Sequence, residues 1–476
     1  MTNLILIVAL PLLMAVLGFS AHKLPFFKQL IAFCAWYQIG IELFLFRALF
    51  TGKDSVHFVD GLVADRTGAL FALLACFVVA SALCHACVFF KNEGVDRHKS
   101  SRRNVGIFFG SSGLFLLAMT LLCICNNLGY LWICIEATTL VSAPLVFYSR
   151  DKHALEATWK YLIICSVGIA FALLGTIMIF ASSQQQTEDG TLHLTELMAR
   201  AGTLDYPLLR MGFILCFLGY GTKAGVFPIH SWLPDAHSEA PAPASAMLSG
   251  ALLNCALLAI WRISQVVVAA GHPELALKLP LVFGTVTVAA ASLFLVKQSG
   301  IKRLWAYSSI ENVGLMLTAI GLGAAPLFFL QALNHSLAKV AAFLLAGNFV
   351  QACGSKKLSE LKGLLILSPS WAILLALAAI AVTGAPPFGA FISELYMLTK
   401  SNEMDLCFVF VTLVVSLTIG FIAVCYHVSG CLWGKPAIAS INANTSWLSI
   451  LIPATLIFLA LLLGVTPISK YIIEVF

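Results

Sequence analysis

The sequence predicts an all-α polytopic membrane protein of about fourteen transmembrane helices, arranged as two inverted five-helix repeats with helices 7 and 12 broken. Three observations carry that reading. Of 476 residues, 60% are hydrophobic and only 11% charged, against about 25% charged in a soluble domain. Apolar runs of about 20 residues, each long enough to cross a hydrocarbon core, recur along the whole chain. Gly and Pro crowd into two of those runs, beside a lysine in one and a glutamate in the other. A chain this apolar is not disordered, and its runs are too long and too continuously apolar for barrel strands.

Charges, Pro and Gly bound the spans. The first covers 3–20; with no basic stretch ahead of it and no small-residue cleavage site, it is expected to be retained as a helix. The second and third cover 28–50 and 67–90. Cys84 and Cys87 form a CxxC pair in the third, but no second pair stands near them and the 14 cysteines are scattered through apolar runs. They read as small packing residues and not as metal ligands. The next three spans cover 104–125, 127–149 and 157–182, with Glu136 and Lys160 in the last two. A polar connection, 183–207, holds Glu188, Asp189, Glu196 and Asp205, and its middle is expected as a short interfacial helix near 192–201.

The seventh span, 208–229, contains FLGYGTKAGVFPIH around Lys223, and the eighth, 243–268, opens on Ser245, Ser249 and Asn254. Spans 279–297 and 303–323 follow, the latter beginning with Ser308, Ser309, Glu311 and Asn312. In 326–350, Gln331, His335 and Lys339 stand at i, i+4 and i+8, one polar stripe on an apolar helix. The twelfth span, 369–397, contains AVTGAPPFGAFISE and ends near Glu394; the last two cover 405–430 and 446–466. The expected organisation is an N-terminal three-helix segment (1–103), a first repeat (104–268), a second, inverted repeat (279–430) and a C-terminal helix (431–476).

The net charge of +6 reflects topology and not nucleic-acid binding. Sixteen of the 28 Lys and Arg fall in odd-numbered loops and seven, Lys53 among them, in even loops or the C-terminus. Arg97, Lys99, Lys302 and Arg303 belong to the larger set. That bias places odd loops in the cytoplasm and both termini outside. Five basic residues remain. Arg47 and Arg262 lie toward helix ends and can snorkel; Lys160, Lys223 and Lys339 lie within spans, as do Glu136, Glu311 and Glu394.

A charge near the bilayer centre costs roughly 2.5–3.5 kcal/mol on the insertion scale, so these groups are expected to act. The bland alternative is a set of fixed ion pairs holding helices together. The deep cations are lysines, and an arginine could hold charge but not hand on a proton. A buried lysine can release its proton near neutral pH. The chemistry is that of a proton relay, with the nearby hydroxyls and amides either carrying water or bonding across helix interfaces.

Gly219, Gly221, Gly225 and Pro228 surround Lys223, and Gly384, Pro386, Pro387 and Gly389 precede Glu394. Such density interrupts a helix and frees backbone groups, which lipid does not tolerate unless protein or water covers them. With spans 4–8 and 9–13 as units, the broken helix is fourth in each, the pattern of inverted repeats. The second helix of each unit carries a carboxylate, Glu136 or Glu311. This suggests one half-channel per unit, joined through Lys339 and His335; simple packing kinks are the alternative.

GYGTKAGVFPIHSWLPDAHSEAPAPASAMLSGALLNCALL (219–258), which includes Asp235 and His237 in a loop, resembles the signature of antiporter-like subunits of the complex I superfamily. NNLGYLWICIEATTL, YSSIENVGLM and LNHSLAKVAAFL resemble most the F-type membrane subunits of hydrogenase-4 and their formate-hydrogenlyase kin. The likeness runs from about helix 4 to helix 13. It implies that Glu136 and Lys223 form a modulating pair, that Lys339 with His335 connects the halves, that Glu394 serves the exit side, and that Lys160 matches a helix-6 lysine of the hydrogenase-type members. Asn254, Asn312 and Gln331 stand where several relatives carry Lys or His, so Glu311, Ser249, Ser309 or water would have to fill the centre. The short stretch after helix 14 resembles the smaller members, without a lateral helix.

Three functions follow. The first is a proton-translocating subunit of a respiratory redox complex, driven by electron transfer in partners, because the chain has no nucleotide loop, paired CxxC clusters or haem ligands and so no cofactor is expected. Partners would be other antiporter-like and anchor subunits in the lipid bilayer of the bacterial inner membrane, and peripheral hydrogenase-like or iron–sulfur subunits. The second is a cation/proton antiporter or ion-coupled uptake component without hydrogenase partners. The third is a scaffold that has lost pumping.

Overall fold

A computed structural model of the chain describes residues 2–51, 55–92, 102–184, 189–436 and 446–475; Lys53, Arg97, Lys99 and Glu188 lie outside the described residues. In chain order it forms α1 (Thr2–Ser20), α2 (Phe27–Phe50), a hairpin of β1 (Ser55–Val59) and β2 (Leu62–Asp65), α3 (Arg66–Asn92), α4 (Arg102–Cys123), α5 (Leu128–Val146) and α6 (Lys152–Gln184). Next come α7 (Leu194–Ala199), α8 (Tyr206–Ala224), α9 (Trp232–Glu239), α10 (Ala242–Met247), α11 (Leu253–Ala269), α12 (Pro273–Leu295), α13 (Ile301–Gly321) and α14 (Ala325–Cys353). The chain continues through α15 (Leu364–Leu367), α16 (Pro369–Val382), α17 (Gly389–Glu403), α18 (Cys407–Leu432), α19 (Leu448–Val465) and α20 (Ile468–Val475).

Ten segments among the described residues are long and apolar enough to cross a membrane. This is a multi-pass membrane protein. The remaining four of the fourteen expected spans are helical too. α1 and α16 have shorter apolar stretches, and α8 and α13 are diluted by Lys223 and Glu311. The short helix expected near 192–201 is α7. The hairpin, α9, α15 and α20 have no counterpart in the reading of the sequence, because each is too short to show a period; Asp235 and His237, expected in a loop, lie on α9.

The chain divides into two compact units. The first comprises 1–83, 101–225 and 251–279; α4, α5, α6, α8 and α11 pack in succession there, with α1 and α2 against α4 and each other. The second comprises 84–100, 226–250 and 280–476. Its centre is α14, buried almost without interruption from Leu327 to Phe349 and packed by α10, α13, α16, α17 and α19.

Two basic residues assigned to solvent are buried instead. Arg262 does not snorkel: it donates to the carbonyls of Cys123 (2.6 Å) and Cys125 and to Asp65 Oδ1 (2.8 Å). The end of α4 leaves carbonyls without helical donors, and with the Asp65 carboxylate they hold the guanidinium inside. Asp65 also accepts from Gly68 N (2.8 Å), capping α3. Lys302 is buried in the first turn of α13, donating to the Ala240 carbonyl at 2.7 Å.

The packing of α6 on α8 seats Lys223. Gly168 and Gly175 of α6 face Gly212 and Gly219 of α8, and a Cβ at Gly219 would collide with the Gly168 carbonyl and Ala172. Small residues let helix backbones approach in this way. Gly219→Val is therefore expected to cost about 1–3 kcal/mol through overpacking, read as a lower unfolding temperature in detergent.

Candidate functional site

Each unit contains a buried polar cluster at an interrupted helix. In the first unit α8 ends at Gly225, whose φ of +82° and N–H bonds to the Gly221 and Thr222 carbonyls close the helix. The Phe227–Pro228 peptide is cis, and α9 belongs to the second unit. Lys223 thus occupies the last turn of α8, where helix carbonyls favour a cation. It is fully buried.

Its ammonium donates to Thr139 Oγ1 (2.9 Å) and Tyr161 OH (2.6 Å) and lies 4.7 Å from the Tyr161 ring centroid. Tyr161 OH in turn shares a hydrogen bond of 2.7 Å with Ser142 Oγ, which donates to the Thr138 carbonyl at 2.6 Å. Because the ammonium has no lone pair, Tyr161 accepts from it and passes its own proton toward Ser142. The result is a directional hydroxyl chain from Lys223 into α5.

Glu136 lies half-buried on the same helix, accepting from Ser166 Oγ at 3.0 Å while its Oε2 has no hydrogen-bond partner among the described residues. No ion pair within 4 Å joins Glu136 to Lys223 among the described residues. Lys160 stands apart, nearly half-exposed and paired with Glu156 at 2.7 Å. Asn254 is buried on α11.

In the second unit the stripe foreseen on α14 is present and buried. Lys339 Nζ has no hydrogen-bond partner among the described residues and lies 5.8 Å from the Trp305 ring centroid, a geometry for a weak cation–π attraction. His335 Nε2 faces the Ser249 carbonyl at 3.2 Å and its Nδ1 has no hydrogen-bond partner among the described residues. Ser249 and Ser309 share a bond of 2.8 Å. Glu311 accepts from Ser292 at 2.9 Å.

Gln331 connects three helices: its amide donates to Asn312 Oδ1 (2.9 Å), and its oxygen accepts from Ser393 Oγ. Asn312 then donates to the Ser308 carbonyl at 3.0 Å. Ser393 precedes Glu394, which is buried on α17 beyond the second break. At that break Gly384 has a φ of +63° and lies so close to the Glu394 carboxylate that a Cβ would overlap it. The Pro386–Pro387 peptide is cis.

Asp235 pairs with Arg303 at 2.6 Å, as Glu239 does with Lys356 at 2.8 Å. His237 is fully buried, stacked on Phe343 with ring centroids 4.9 Å apart, and neither ring nitrogen has a hydrogen-bond partner among the described residues. Sequence reasoning passed over Tyr161, Thr139, Ser142 and Trp305, whose residue types are ordinary in membrane helices. It also passed over Glu42, although Gln38 one turn earlier is a readable i, i+4 polar pair in an apolar helix.

No group of three or more His, Cys, Asp or Glu side chains among the described residues is placed to hold a metal ion. What the clusters offer is titratable groups joined to hydroxyls and amides. Tyr161→Phe removes the link from Lys223 to Ser142 while keeping the ring; it is expected to slow proton uptake by reconstituted vesicles severalfold with assembly intact, measured with a pH-sensitive dye.

Comparison with known proteins agrees with this architecture. Residues 125–420 match the transmembrane family model of NADH:quinone oxidoreductase and Mrp antiporter subunits. The chain is 37% identical over 344 residues to a hydrogenase-4 component F homolog of Methylacidiphilum infernorum, covering 71% of this chain and 72% of the relative. It is 29% identical to hydrogenase-4 component B of Escherichia coli, over 70% of this chain but only 50% of that one. An archaeal membrane-bound sulfane sulfur reductase superposes with a TM-score of 0.86 at 22% identity, over 99% of this chain and 96% of its counterpart, a likeness of fold.

Proposed function

Because the chain belongs to the transmembrane antiporter-like family of NADH:quinone oxidoreductase and Mrp subunits, we propose that it is the proton-translocating membrane subunit of a respiratory redox complex of the hydrogenase-4 type. The observation that carries this reading is Lys223: a fully buried cation at a helix break, bonded to a tyrosine and a threonine hydroxyl instead of a carboxylate. A fixed structural charge would be expected to sit on a counter-ion. A hydroxyl chain leaves the ammonium free to exchange.

In this reading Glu136 sets the charge near Lys223, and changes in its protonation or position alter how readily Lys223 gives up its proton. Lys160, paired with Glu156 on the exposed part of α6, stands apart from this cluster's buried bonds and exchanges protons with water at the surface. In the second unit Lys339 and His335 receive the proton, with Glu311 as the opposing carboxylate. The chain Asn312–Gln331–Ser393 leads toward Glu394, the exit group. Amides do not release protons, so Asn312 and Gln331 orient water or hydroxyls while Lys339, Glu311 and Glu394 exchange.

The parts at 104–268 and 279–430 act as two inverted repeats, an assignment supported by a helix break in the fourth span of each. Neighbouring antiporter-like and anchor subunits share the bilayer, and peripheral hydrogenase-like or iron–sulfur subunits carry the electrons. The loop charges support an inner-membrane orientation with both termini on the outer face. Co-purification tests the partner assignment. A nickel–iron-type subunit and iron–sulfur proteins are expected with the chain, and their absence would favour the uptake or antiport role.

The transport role is tested in vesicles containing the intact complex. Lys223→Ala is expected to lower proton uptake on the order of 100-fold, the scale of a lost general acid–base group. Lys223→Arg keeps the charge but does not rescue, because arginine cannot release a proton. Unchanged uptake in both variants would refute the assignment.

A further inference from the structure

The N-terminal part of the chain, which the family match at 125–420 does not reach, contains a carboxyl group that the relay above leaves unused. Pro11 lies inside α1 and has no N–H, so the carbonyl four residues earlier, on Ile7, lacks its helical donor. Gln38 of α2 supplies one: its Nε2 donates to the Ile7 carbonyl at 3.3 Å and to Glu42 Oε1 at 3.2 Å. With both amide protons engaged, Gln38 Oε1 and Glu42 Oε2 remain as acceptors without a hydrogen-bond partner among the described residues. Gln38 and Glu42 are both 0% exposed, and α2 is apolar and long enough to span a membrane.

Two buried acceptor oxygens on neighbouring turns of α2 lack a donor among the described residues, and unmet acceptors cost free energy. A proton on Glu42 relieves the unmet carboxylate oxygen, and a water can donate to either acceptor. A purely structural role is poorly served here, because apolar side chains of similar volume would pack the same site without desolvating a carboxyl. The described residues also contain no ion pair to Glu42.

We propose that Glu42, held by Gln38, is a further proton-exchanging carboxyl group, separate from the Lys223 and Lys339 clusters and served by water. Each exchange moves one proton from hydronium to a carboxylate oxygen of Glu42 and back; only O–H bonds form and break. The inference rests on the proton-translocating reading of the chain.

The test uses vesicles containing the intact complex and compares Glu42→Gln with Lys223→Ala. Glu42→Gln preserves size and can still accept from Gln38, but it cannot carry a proton. Loss of proton uptake in Glu42→Gln, with assembly retained, is the expected result. Uptake equal to wild type in Glu42→Gln, alongside loss in Lys223→Ala, overturns this inference and leaves the functional reading standing; wild-type uptake in both overturns both. Should Glu42→Gln not assemble, the wild-type complex is treated with a hydrophobic carbodiimide, which couples to protonated buried carboxyls. An adduct on Glu42 that forms at mildly acidic pH and fades at alkaline pH supports the proposal, whereas an unmodified Glu42 throughout overturns it.

Discussion

The desolvation of charge governs this molecule. A lysine or glutamate drawn out of water into apolar helices is costly unless something local offsets the loss, and the two clusters differ in how they do so. Lys223 uses a helix C-terminus, two hydroxyls and an aromatic ring. Lys339 lies mid-helix with a single aromatic face nearby and no hydrogen-bond partner among the described residues. The first arrangement gives the ammonium hydroxyl partners with which a proton can be exchanged, and the second leaves its ammonium open. A relay needs both.

The helix interruptions follow from the same constraint. Ending α8 at Gly225 puts carbonyl ends beside Lys223, and interrupting the chain between α16 and α17 lets Gly384 approach the Glu394 carboxylate without a side chain in the way. Packing then fixes these groups. The glycines between α6 and α8 bring Tyr161 to Lys223, and α14, packed by five helices of the second unit, places Gln331, His335 and Lys339 in an otherwise largely apolar core. Carboxylates paired to hydroxyls, as Glu136 is to Ser166 and Glu311 to Ser292, are oriented without being neutralised.

Much of this was legible in the residues alone. Long apolar runs give the helices, Gly and Pro density gives both breaks, and period-four spacing gives the stripe on α14. Side-chain partners were less legible. Tyr161 and Trp305 meet their lysines only through tertiary packing, which no spacing encodes. Arg262 looked like an end-of-helix residue and is instead bound to the carbonyls that close α4, 139 residues away, and to a hairpin aspartate 197 residues away. Lys302, counted as a loop charge, is held by a backbone carbonyl for a similar reason. The substitutions Asn312 and Gln331, which made the centre look thin, form a matched amide pair reaching Ser393.

The account stands or falls on whether hydration reaches the buried ions. A density map of the complex in lipid, sharp enough to show ordered water, addresses this directly. Water is expected within hydrogen-bond distance of Lys339 Nζ and of Glu136 Oε2, each without a hydrogen-bond partner among the described residues. Dry, close-packed surroundings at both atoms, unchanged between acidic and alkaline samples, would contradict it.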